Sequence, residues 1–147
     1  MTTKNHTPAL ELFLVDSDHP AAFPLASSRI AAGFPSTADD EIAMSLDLNR
    51  ELVRHPEATF FARVSGESMI GEGIEDGDLL VIDKAVEPTN NCLAVCYIDG
   101  EFTLKRVRLE TDHALLVPAN PKYRPIRITA ENEFMIWGIV RYVIKKV

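Results

Sequence analysis

No stretch of this chain approaches the roughly 18 consecutive apolar residues of a membrane-spanning helix. The longest candidate, Phe134 to Ile144, is interrupted by Arg141, so no membrane association is expected. Met1 to Pro8 is polar and lacks the apolar centre of a secretory leader, which points to the cytoplasm. Positive charge is also short: 15 Lys+Arg stand against 22 Asp+Glu, a net charge of −7. Neutralising a phosphate backbone needs a basic surface, so direct DNA binding is not expected. Cysteine is scarce. Cys92 and Cys96 lie in one strand-like run, and with no second pair they read as core residues rather than a zinc or disulfide site. His6, His19, His55 and His113 are scattered without HExxH or CxxC companions, so neither a metal nor a cofactor is expected. A phosphate-binding glycine loop and a Gly-x-Ser-x-Gly elbow are both absent. Asp76-Gly77-Asp78 resembles a calcium loop only superficially, because Leu80 and Ile82 occupy would-be ligand positions.

What is present fits one globular domain of 147 residues, large enough to bury a core without staples. Residues 1–32 read as a weakly organised, flexible arm. Leu10 to Val15 is compatible with a short strand or a helical turn, and Asp18-His19-Pro20 and Phe23-Pro24 read as breaks. Asp39 or Asp40 is placed to cap a short helix carrying Ile42, Ala43 and Leu46. Asp47 is placed to cap a second, carrying Leu48, Leu52 and Val53 and ending before Pro56. The period then changes to two. Phe60, Ala62 and Val64 alternate with Phe61 and Arg63, and strands follow at Leu79–Ile82, Cys92–Ile98, Glu101–Leu109, Ala114–Val117, Ile126–Ile128 and Phe134–Ile144. Asp99-Gly100 is a hairpin signal, and Gly138 marks a bend or bulge. The expected fold is mostly β, a compact set of curved sheets with short helices near residues 39–54.

The stretch Ser65-Gly66-Glu67-Ser68-Met69 follows the first of these strands directly. A serine there is exposed on a rigid support, and Ser68 is a candidate nucleophile. Serine needs a base, because its hydroxyl is weakly nucleophilic near neutral pH. On Glu101–Leu109, Lys105 shares a face with Thr103, Val107 and Leu109, so its amine would lose water and its pKa would fall. By parity alone, a lysine whose stem packs while its head reaches solvent fits better than a base. The backbone N–H groups of Ser68 and Met69 are oxyanion candidates by position. The small-residue stretch Ala26 to Gly33, followed by Phe34-Pro35, suits an extended substrate around Ala32–Gly33. Local composition alone favours a plain linker there.

Taken in order, Ser65-Gly66-Glu67-Ser68-Met69, Ile74 to Asp83 and Asp99 to Arg106 resemble the LexA/UmuD self-cleaving serine peptidases. Lys105 follows Ser68 by 37 positions, as in that family's Ser-Lys dyad. Ala32-Gly33-Phe34-Pro35-Ser36, Asp47-Leu48-Asn49 and His55-Pro56 extend the resemblance over nearly the whole chain after about residue 20. Only 32 residues precede Gly33, which is too short for the helix-turn-helix head of the repressors and is similar to the UmuD branch. One departure is Ala32, where the best-known UmuD type has cysteine. The resemblance implies a LexA-like peptidase fold over 33–147 and an arm, 1–32, removed by cleavage at Ala32–Gly33. Ser68 would be the nucleophile and Lys105 the general base. It further implies a homodimer, activation by a RecA filament on single-stranded DNA, and a UmuC-like translesion polymerase subunit as partner of the shortened form. The alternative is a dimeric polymerase-binding module that keeps the fold without catalysis. A signal peptidase relative would share the Ser-Met and lysine pattern but needs a membrane anchor.

Overall fold

A computed structural model of the chain describes residues 10–15, 21–26, 42–66, 69–120 and 122–147. Ten strands and one short α-helix make up most of it. The strands are β1 (Leu10–Leu14), β2 (Ala22–Ala26), β3 (Ile42–Asp47), β4 (Thr59–Val64) and β5 (Leu79–Asp83), then β6 (Cys92–Ile98), β7 (Glu101–Leu109), β8 (Ala114–Val117), β9 (Ile126–Ile128) and β10 (Phe134–Ile144). Helix α1 spans Leu48–Leu52, and 3-10 turns follow at Pro56–Ala58 and Ile70–Glu72. Eight strands form one sheet in the order β1-β4-β5-β10-β6-β7-β8-β9, and among the described residues β2 and β3 form a separate pair. Every pairing is antiparallel. The chain is therefore mostly β, as its period-2 patterning predicts.

The strands expected from alternation are found, most of them with the expected ends. The Asp99-Gly100 turn has positive φ at both residues, 47° and 89°, the geometry of a tight hairpin between β6 and β7. In β10 the register against β6 shifts between Ile136 and Gly138, leaving Trp137 as the extra residue of a bulge. A Cβ on Gly138 would lie 2.5 Å from Ile82 Cγ2, so the closeness of β5 excludes a side chain there.

Two expectations need correction. Ile42 to Leu46 is not a helix but most of β3, paired with β2. Its residues suit either period, and the available partner strand decides. Phe23-Pro24 does not break structure but lies within β2. A two-stranded ribbon leaves each strand one open edge, where a missing N–H forfeits no ladder bond. Of the two readings open for Leu10 to Val15, the strand is the one that forms: β1 adds to the edge of the main sheet with Leu10 in the core. The second expected helix does form: Asp47 caps α1, accepting from Asn49 N at 3.0 Å and from Ala21 N at 3.3 Å.

The core divides between the two faces of the β6–β7 ribbon. On one side Val95 and Leu104 pack with Ala62, Val64, Met69, Ile74, Leu80 and Ile82. On the other, Cys92, Ala94, Cys96 and Val107 pack with Leu116, Ile128 and Ile139. Both cysteines are free buried thiols. Among the described residues no helix is long and apolar enough to cross a membrane.

Candidate active site

The loop after β4 is braced from both ends. Val64 N donates to Asp78 O at 2.9 Å, and Gly77 N donates back to Val64 O at 2.8 Å. Gly77 has φ 88°, a left-handed turn that suits glycine. Asp76 Oδ1 accepts from Gly66 N at 3.1 Å, which fixes the start of the loop. Asp78 Oδ2 accepts from Glu75 N at 2.9 Å and from Lys145 Nζ at 2.7 Å. Burial pushes the Asp78 pKa up, but those two hydrogen bonds and the Lys145 charge prevail, and it lies below the usual carboxylate value. The Asp-Gly-Asp carboxylates are thus committed to holding the turn. Among the described residues no group of three or more acidic, histidine or cysteine side chains could hold a metal.

At its far end the loop is anchored by Met69, only 2% exposed in the core. Met69 O accepts from Glu72 N at 3.0 Å, closing the 3-10 turn, which ends at Gly73 with φ 74°. A cavity of about 520 Å³ lined by Gly66, Ile70, Glu75 and Asp76 adjoins the loop. Glu67 and Ser68, between the two anchors, lie outside the described residues, as do Ala32 and Gly33.

Lys105 is buried at 8% exposure. A lysine whose head reaches freely into solvent, the reading that parity alone favoured, is therefore not what the fold builds. Its backbone pairs with Ala94, and Cys96 and Thr103 are the next opposed pair along the ribbon, which sets Cys96 beside Lys105 on the same face. Burial lowers the lysine pKa below its ordinary value, and negative charge on Cys96 would act in the opposite sense. Burial and Cys92 push the Cys96 thiol up to about 12, with Lys105 pulling the other way, so Cys96 is a neutral neighbour at physiological pH. The amine is thus partly dehydrated, with its pKa below the ordinary lysine value, and a neutral thiol lies beside it.

The sequence reading missed one feature. Arg106 Nε donates to Glu72 Oε1 at 2.8 Å, Nη2 pairs with Glu72 Oε2, and Nη1 donates to Asn91 O at 2.8 Å. The Glu72 hydrogen bond raises the Arg106 pKa. No periodic pattern links residues 34 positions apart, so this pair becomes visible only in three dimensions.

The Peptidase S24-like family model matches residues 24–141. ImpA of Salmonella typhimurium is 42% identical over 147 residues, which covers 99% of this chain and 97% of ImpA. MucA of Escherichia coli is 40% identical over 122 residues, 82% of this chain and 83% of MucA. LexA repressor 2 of Pseudomonas syringae pv. tomato is 38% identical over 112 residues, 76% of this chain but only 54% of the repressor. With that family match, and with ImpA matched over nearly all its length, the chain belongs to the S24-like peptidases as a UmuD-like member.

Proposed function

We propose that this chain is an autocatalytic serine peptidase that cuts its own Ala32–Gly33 bond. Ser68 Oγ attacks the Ala32 carbonyl carbon while Lys105 Nζ takes the hydroxyl proton. The backbone N–H groups of Ser68 and Met69 stabilise the oxyanion. When the tetrahedral intermediate collapses, Lys105 returns its proton to the departing Gly33 nitrogen, leaving Ala32 as an ester on Ser68. Water then attacks that ester, with Lys105 again as base, and releases the arm. Tethering scissile bond and nucleophile in one chain replaces a bimolecular encounter, which can lower the barrier by several kcal/mol. The cavity between Gly66 and Ile70 is the candidate groove for the extended Ala31 to Pro35 segment.

The reading rests above all on the burial of Lys105 on an uncharged strand face, with its pKa lowered. Its biological frame follows the family. The shortened form, 33–147, acts as a homodimer with a UmuC-like translesion DNA polymerase subunit in SOS mutagenesis, in the cytoplasm, after a RecA filament on single-stranded DNA stimulates cleavage.

The purified full-length chain, incubated across neutral to alkaline pH, tests the chemistry. Its rate of conversion should rise with pH as Lys105 loses its proton, and the large fragment should begin at Gly33. Ser68→Ala and Lys105→Ala should abolish conversion while remaining folded. Unchanged cleavage in either variant, or a rate flat with pH, refutes the dyad.

A further inference from the structure

We propose that Arg106 and Glu72 form a clamp that positions the Ser68 loop for cleavage, and that Arg106 is a positioning residue for the reaction rather than only a surface charge. The inference rests on the self-cleavage reading above. Glu72 closes the turn that begins just after Ser68-Met69, and Arg106 is the neighbour of Lys105 on β7. Their double hydrogen bond joins the segment after the nucleophile to the strand that carries the base. A fork-to-carboxylate pairing of this kind fixes orientation as well as distance.

Three further observations give the clamp its rigidity and its separateness from the proton chemistry. Nη1 of Arg106 is held by Asn91 O, so the guanidinium is fixed on its other side too. The turn lies flush against the segment after β8: a Cβ on Gly71 would come 2.3 Å from Ala119 O. Successive side chains on a strand point to opposite faces, so Arg106 grips the turn without entering the surroundings of the Lys105 amine. The clamp should govern how well the hydroxyl is placed, while the basicity of Lys105 stays with its own burial.

These features set the test. Self-cleavage of the full chain is followed across pH for the unaltered protein, Arg106→Ala, Arg106→Lys, Glu72→Gln and the Arg106→Ala/Glu72→Gln pair, with thermal unfolding checking that each is folded. Every variant is expected to cleave about tenfold more slowly at all pH values with an unmoved pH midpoint, because lost alignment acts on rate alone. The double variant should be about as slow as either single one, since both break the same contact. Arg106→Lys keeps the charge but not the fork, and it stands in if Arg106→Ala fails to fold. Unaltered rates in the folded single variants, a double variant slowed by the product of the single losses, or a shifted midpoint would overturn the clamp. An unaltered chain that does not cleave, or Ser68→Ala that still does, refutes the peptidase reading instead and takes the clamp with it.

Discussion

At the scale of single residues, Lys105 carries the most consequence. An amine held at 8% exposure beside a neutral thiol is unfavourable to protonate, and folding bears that penalty wherever the unfolded lysine is charged. Between its lowered folded value and its ordinary one of 10.5, the unfolded chain binds more protons than the native chain. Stability contributed at this position therefore rises with pH through that window. Lys105→Met keeps the length without the charge, so it should be more stable than the unaltered protein at pH 7, with the advantage shrinking toward strongly alkaline pH. Urea unfolding at several pH values measures this, and a gain independent of pH would refute it. The parity of β7 already pointed to this lysine's unusual face. What parity does not supply is the partner list: Cys96 beside it, and Glu72 on its neighbour Arg106, each depend on which strand or turn lies alongside.

At the scale of elements, short-range chemistry was a good guide wherever one residue type had a single physical use. Asp99-Gly100 turned as a hairpin, Asp47 capped a helix, and Gly138 marked a bulge. The guide failed at Ile42–Asp47, where residues compatible with a helical face were drawn into a ribbon with β2. Pairing with the preceding strand overrode local preference. Gly138 offers a direct measurement at this scale. The methyl of Gly138→Ala would meet Ile82 Cγ2, on a side chain with no exposure and no room to retreat. The expected loss is about 1–3 kcal/mol, the usual range for overpacking. Denaturant unfolding within about 0.5 kcal/mol of the unaltered protein, the range of neutral surface changes, would show that the bulge yields.

At the scale of the whole molecule, the last strand holds the sheet together. β10 lies between β5 and β6, so among the described strands the hydrogen-bonded ladder joins the earlier and later halves of the main sheet through it. Met69 and the strand that carries Lys105 belong to opposite halves, which are tied through β10, through the core shared by Met69 and Leu104, and through the Arg106–Glu72 pair. The arm also has a structural role that its composition conceals. Cleavage after Ala32 would separate β1 from the edge of β4 and β2 from β3. A 33–147 fragment should therefore melt at a lower temperature than the uncleaved Ser68→Ala chain. Alternate amides of β4 should also exchange faster, since they would lose their β1 partners. Equal protection of β4 in the two proteins would mean that β1 contributes nothing to the sheet.

The amino-acid sequence by itself determined the mostly β character, the positions of most strands, the tight turns, and the ordered Ser-Met, Asp-Gly-Asp and lysine motifs that mark the family. Each of these depends on neighbours a few residues away, where alternation, caps and left-handed turns leave a direct imprint. Only the tertiary structure decided that β10 enters the middle of the sheet, that Cys96 lies beside Lys105, that Asp76 and Lys145 brace the loop, and that Arg106 reaches Glu72. Those relations join residues 9 to 67 positions apart. They follow from sheet register and burial of the whole chain, which no local pattern encodes.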